Sequence, residues 1–238
     1  MTRTHRPHTL RRLIGLAAIG AVLLMLAAHH GTDPTAPGKP PPAGSAAALR
    51  QLNELHVVQT RPHRPGYQRG CGPGQACSFG PAWTDDTTAP GGHNGCDTRN
   101  DILRTQLTEL SYRPGSRCVV TAGVLHDPYT GRTIRFTKTH AAAVQIDHLV
   151  PLALAWDLGA NTWPQAQRTA FANDEHLVLL AVSGTAKDAK GDSGPAAWMP
   201  STNRASYAER FVTVLAHYRL PVTAADRTAL THALRSSR

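Results

Sequence analysis

The sequence contains no Gly-x-Ser-x-Gly, no Cys-x-x-Cys, no His-x-x-x-His in its central part and no internal repeat. The first absence argues against a hydrolase built on a serine elbow. The second weakens a zinc reading of the cysteines, and the third leaves the 13 histidines scattered rather than at helical metal-ligand spacing. Only four cysteines occur, Cys71, Cys77, Cys96 and Cys118. An even count in an exported chain favours disulfides. Of the three possible pairings, Cys71–Cys77 with Cys96–Cys118 is favoured because each bond closes a local loop.

Export is indicated by the N-terminus. Arg3, Arg6, Arg11 and Arg12 precede an apolar run over residues 13–28. A basic segment before a short apolar one is a secretory signal. Sixteen residues are marginal for spanning a bilayer. Residues 1–30 are therefore a signal peptide or an N-terminal membrane anchor, with residues 13–28 as the tether in the second case. The formal charge of +9 overstates the basicity of the chain beyond the leader: without the four leader arginines, 21 Lys and Arg face 16 Asp and Glu, or +5. That excess suits a polyanionic substrate without requiring one.

Residues 31–45 are rich in Pro and Gly and read as a linker, leaving residues 46–238 for one folded domain. Residues 46–58 have helical composition, and residues 61–95 must be rich in loops, with Phe79 and Trp83 as anchors to the core. Residues 98–107 read as a helix with Thr98 as N-cap. Strands are expected over 118–125, 133–137, 144–150 and 176–182, the first two joined through the turn Asp127-Pro128-Tyr129-Thr130-Gly131. Further helices are expected over 152–158, 164–171, 204–218 and 224–234, with Trp156, Trp163, Phe171 and Trp198 packing the C-terminal half. Asn173 and Asp174 form a turn.

Chemistry concentrates at Asp147-His148, within Val144-Gln145-Ile146-Asp147-His148-Leu149-Val150-Pro151-Leu152. A carboxylate can hold a divalent ion while a neighbouring imidazole takes a proton from water. Adjacent residues at a strand end diverge, so the two groups can flank one phosphate. A second polar cluster comes at Lys187-Asp188-Ala189-Lys190-Gly191-Asp192. Lys190 and Asp192 can simply close a helix end by local pairing.

These blocks resemble the HNH nuclease superfamily, in particular exported bacterial relatives of the C-terminal domain of GmrSD-type restriction endonucleases. The resemblance also takes in Asn94-Gly95-Cys96-Asp97-Thr98-Arg99-Asn100-Asp101, Ala155-Trp156, Arg168 and Lys190-Gly191-Asp192, and covers residues 79–200. It implies an α+β fold with a ββα-metal core, flanking helices and a disulfide-braced N-terminal loop region. It also implies an endonuclease hydrolysing DNA, with RNA as a second substrate, using Mg2+ or Mn2+. Asp147 is then a metal ligand, His148 the general base and His176 the residue that orients it, where the family usually has Asn. Lys187 stands where the family usually offers an Asn or His ligand, so Asp188 is expected to replace it. Lys187, Lys190 and Arg168 are expected phosphate contacts. The competing reading is a degenerate module that binds nucleic acid or cell envelope without catalysis.

Overall fold

A computed structural model describes residues 43–236, so the leader and most of the linker lie outside the described residues. The fold is α+β, and three helices from opposite ends of the chain make one of its layers. Helix α1 (Ala43–Glu54) packs on α6 (Arg204–His217) and α7 (Ala224–Arg235). Leu52, Phe211, Val214 and Leu230 are fully buried in that contact layer. The helix expected over 46–58 stops early because Val57 and Val58 leave it to form β1 (Val57–Val58). That strand pairs in parallel with β7 (Val222–Thr223), joining the two ends of the domain.

The remaining strands form two small antiparallel sheets. One runs β2 (Thr108–Tyr112), β3 (Val120–His126), β4 (Thr133–Thr137). The other pairs β5 (Val144–His148) with β6 (Leu179–Ser183), with Asp147 opposite Leu180 and His148 opposite Leu179. All of β6 is buried, which explains its unbroken apolar run in place of alternation. Its outer edge is closed by a side chain, since Ala181 N–H donates to Gln106 Oε1 at 2.8 Å.

Helix α5 (Gly184–Lys190) continues from β6 without a loop, capped by Ser183, whose hydroxyl accepts from Ala186 N–H. Glycine is required at 184: a Cβ there would lie 2.0 Å from the carbonyl oxygen of Ala142. Between β5 and β6 the chain inserts α3 (Leu152–Asp157) and α4 (Gln165–Ala172). Helix α2 (Thr98–Gln106) is capped by Asp97 rather than Thr98: Asp97 accepts from Asn100 N–H at 2.9 Å, while the Thr98 hydroxyl donates to Thr84 O. The strand expected at 176–182 starts only at Leu179, because residues 174–178 turn around the Asp174 carboxylate. Trp156 and Phe171 are buried in the core as expected, and Trp163 and Trp198 pack against it.

Both favoured disulfides are present, and no described cysteine is free. Cys96–Cys118 ties the start of α2 to the approach to β3 across 22 residues, and Cys71–Cys77 closes a loop of 6. On loop-closure entropy these are worth about 3 and about 2 kcal/mol. Urea unfolding should therefore show a larger loss for Cys96→Ala/Cys118→Ala than for Cys71→Ala/Cys77→Ala. The reverse order would mean that the short loop carries tertiary structure beyond its own closure.

Candidate functional site

Asp147 and His148 end β5, and their side chains take different surroundings. Asp147 is only 4% exposed. Its Oδ2 accepts from the Tyr129 hydroxyl at 2.6 Å and from Lys190 Nζ at 2.5 Å. Lys190, the last residue of α5, is fully buried and also donates to the His148 carbonyl at 2.7 Å. One ammonium thus clamps the end of β5 to the end of α5. Burial pulls the Lys190 pKa down, opposed by the charge of Asp147. Burial, then the Asp147 charge, pushes the Tyr129 phenol well up, so it remains a donor.

Tyr129 reaches Asp147 because its turn is fastened. Asp127 accepts from Tyr129 N–H and from the N–H and hydroxyl of Thr130, and it also reaches across to accept from Ser183 N–H at 3.0 Å. Gly131 completes the turn at φ +71°, a conformation glycine adopts without steric cost. The turn recognised in the sequence is therefore also a support of the site.

The His148 ring is held on two sides. Its Nε2 lies 2.9 Å from the Ala172 carbonyl oxygen. A carbonyl only accepts, so Nε2 carries the proton and Nδ1 keeps its lone pair. Trp83 stacks on the ring at 5.8 Å between centroids and 15° between planes. Burial lowers the His148 pKa to about 4, helped by the cations Arg69 and Lys190 and opposed by the Ala172 and Asp147 contacts. The imidazole is accordingly neutral at physiological pH.

Beside these groups lies a hollow whose wall includes Tyr67, Arg69, Trp83 and Lys187. Residues 61–83 form a strap that supplies the first three. Arg61 pairs with Asp157 at 2.7 Å and Asp192 at 3.0 Å, and Arg64 N–H donates to Asp157. The Trp156 indole donates to Pro65 O. Arg69 donates to Gly80 O at 2.7 Å, across the loop that Cys71–Cys77 closes.

Several expected site residues stand elsewhere. Arg168 donates to Ser78 O, Trp163 O and Gln165, with its guanidinium over Trp156, so it fastens the strap and does not face the hollow. His176 is exposed in a separate depression beside Glu175 and Arg210. The Asp174 turn points it outward, and the Ala172 carbonyl orients His148 in its place. Lys187 lines the hollow, whereas Asp188 is exposed and does not; successive helical residues diverge by about 100°. Lys190 is paired with Asp147 and Asp192 with Arg61, instead of with each other. Lys190 is thereby buried away from any phosphate. Arg69, Tyr129 and Trp83 are residues around Asp147 and His148 that sequence reasoning did not place there. Tyr129 had a signal in its turn, Trp83 read as a core anchor, and Arg69 sat in a loop without pattern.

A divalent ion does not fit this donor set. Asp147 Oδ2 is already shared by a phenol and an ammonium, Asp192 is engaged by Arg61, and Lys187 and Arg69 bring positive charge to the same hollow. Among the described residues no three His, Cys, Asp or Glu side chains converge in a way that could hold a metal.

Residues 97–231 match the family model of GmrSD restriction endonucleases, C-terminal domain. An uncharacterized secreted protein of Arthroderma benhamiae is 35% identical over 224 residues, covering 92% of this chain and 96% of that protein. No solved structure matches. The secreted relative and the two disulfides agree with export, and no helix among the described residues is long and apolar enough to cross a membrane.

Removing one member of a buried ion pair costs about 3–5 kcal/mol, because the other is left uncompensated. Lys190→Met should therefore lower unfolding free energy by about that amount. Asp147→Asn with Lys190→Met should cost less than the two single changes summed. Strict additivity in a double-mutant cycle would show that the two groups are not coupled.

Proposed function

The chain belongs to the family of GmrSD restriction endonuclease C-terminal domains, and on that premise we propose that it is an exported HNH-type endonuclease hydrolysing phosphodiester bonds in DNA, with RNA as a second substrate. The observation that carries this reading is His148, a neutral imidazole with Nδ1 free to accept, beside a hollow lined by cations. The antiparallel pair β5–β6 leading straight into α5 is the part of the fold that would correspond to a ββα core.

In this mechanism Nδ1 of His148 takes a proton from water. The water oxygen bonds to phosphorus, the bond to the leaving sugar oxygen breaks, and the proton returns to that oxygen. Ala172 and Trp83 keep the ring in one orientation and tautomer. Asp147 and Lys190 hold the strand end that carries it. No step is assigned to the expected Mg2+ or Mn2+, for which Asp147 and Asp188 do not form a joint site.

Lys187 at the usual ligand position also favours a second reading, a nucleic-acid binding module without catalysis. Plasmid nicking by the oxidised full-length protein separates the two. His148→Ala should reduce nicking by about 10² to 10⁴ with DNA affinity unchanged; equal nicking by mutant and wild type would remove His148 from the chemistry.

The pH profile gives a second check. The base acts only when deprotonated, and its pKa is lowered to about 4. kcat/KM reports groups of the free enzyme. Its acid limb should therefore lie near pH 4, leaving activity flat from pH 6 to 7. An acid limb near the ordinary histidine value, about 6.5, would contradict the half-buried, carbonyl-bound imidazole.

A further inference from the structure

We propose that Arg69 and Lys187 grip the substrate phosphodiester directly, so that this hollow binds and cleaves without an added divalent ion. The inference rests on the phosphodiesterase reading above and concerns how that site meets the charge of its substrate. Charge in and around the hollow is unevenly matched. Asp147 is balanced by Lys190 at 2.5 Å, and Asp192, at 3.0 Å from Arg61, shares that guanidinium with Asp157. Arg69 and Lys187 line the same hollow, and among the described residues neither has a carboxylate partner. Two cations without an ion-pair partner, beside an imidazole whose Nε2 is held by the Ala172 carbonyl, favour an anion and oppose the entry of a divalent cation.

The two cations come from separate parts of the chain. Lys187 projects from α5, one helical turn before the buried Lys190, so its backbone is fixed by the Asp147 clamp. Arg69 projects from the strap, fixed by its bond to Gly80 O and by the Cys71–Cys77 loop. It precedes the stretch matched by the family model, residues 97–231. A guanidinium can take two phosphate oxygens at once, while an ammonium acts as a point charge. Together they can neutralise the charge that develops as water attacks, which is the service a metal ion otherwise renders. Trp83, stacked on His148, and Tyr67 give the hollow an aromatic wall against which sugar or base can rest.

The test uses the oxidised full-length protein with a fluorescein-labelled duplex oligonucleotide and with supercoiled plasmid, both in EDTA and again with magnesium or manganese added. Binding by anisotropy and nicking should both persist in EDTA. Arg69→Ala and Lys187→Ala should each weaken binding about tenfold or more and reduce the salt slope by about 1. Arg113→Ala, on the exposed β2–β3 hairpin, should leave both within twofold. Lys187→Arg should retain binding that Lys187→Asn loses. Unchanged circular dichroism would confirm that the variants fold. Nicking that appears only with added metal, and a Lys187→Asn variant that needs less metal, would overturn the inference and leave the nuclease reading intact. Binding in EDTA that depends on both cations, without nicking under any condition, would keep the anion grip and end the hydrolase reading. Absence of both in EDTA and in metal would end the two together.

Discussion

The ion pair between Lys190 and Asp147 is the constraint on which the site depends. Two charges removed from water are costly, and they are tolerated only when their remaining hydrogen-bonding capacity is met. Here Lys190 finds a second acceptor in the His148 carbonyl, and Asp147 a second donor in Tyr129. Tyr129 in turn is held by the turn that Asp127 fastens to Ser183. The β3–β4 turn, the end of β5 and both ends of α5 are thereby bound through one buried knot. The same knot occupies the Asp147 oxygen that a metal would otherwise claim, so the site's electrostatics are set by side-chain cations.

The outer wall has a different origin. A strap lacking regular secondary structure would be mobile without fasteners. This one is tied by Arg61 to Asp157, by Arg168 to Ser78, by tilted aromatic rings around Trp156 and Phe79, and by a disulfide. Those ties deliver Arg69 and Trp83 to His148. The two disulfides therefore act differently: Cys96–Cys118 braces the fold near α2, whereas Cys71–Cys77 closes the loop between Arg69 and its acceptor Gly80.

Regular, apolar segments were legible in the sequence. The strands β3 to β6, the helices α2, α3, α4, α6 and α7 and both disulfide pairings agree with periodicity, turn chemistry and local loop closure. Strand β2 was not legible, because Thr108–Tyr112 is polar and mostly exposed at a sheet edge. Nor was β1, two residues whose partner lies at the other end of the chain. Asp147 and His148 stood out by their pairing at a strand end. The rest of the site did not, since a helix turn decides whether residue 187 or 188 faces the hollow, and His148 is oriented by a backbone carbonyl that no side-chain pattern reveals. Lys190 and Asp192 looked like neighbours closing a helix, yet each takes a partner more than 40 residues away. Long-range pairing of this kind is set by tertiary packing and leaves no local mark.

The central claim is that His148 presents Nδ1 to a phosphodiester in this hollow. A crystal structure with a bound phosphorothioate oligonucleotide tests it most directly. The account predicts a phosphorus atom facing Nδ1, with its oxygens on Arg69 and Lys187 and the Nε2 bond to Ala172 intact. Nucleic acid bound on another face, with His148 turned away from it, would contradict the account.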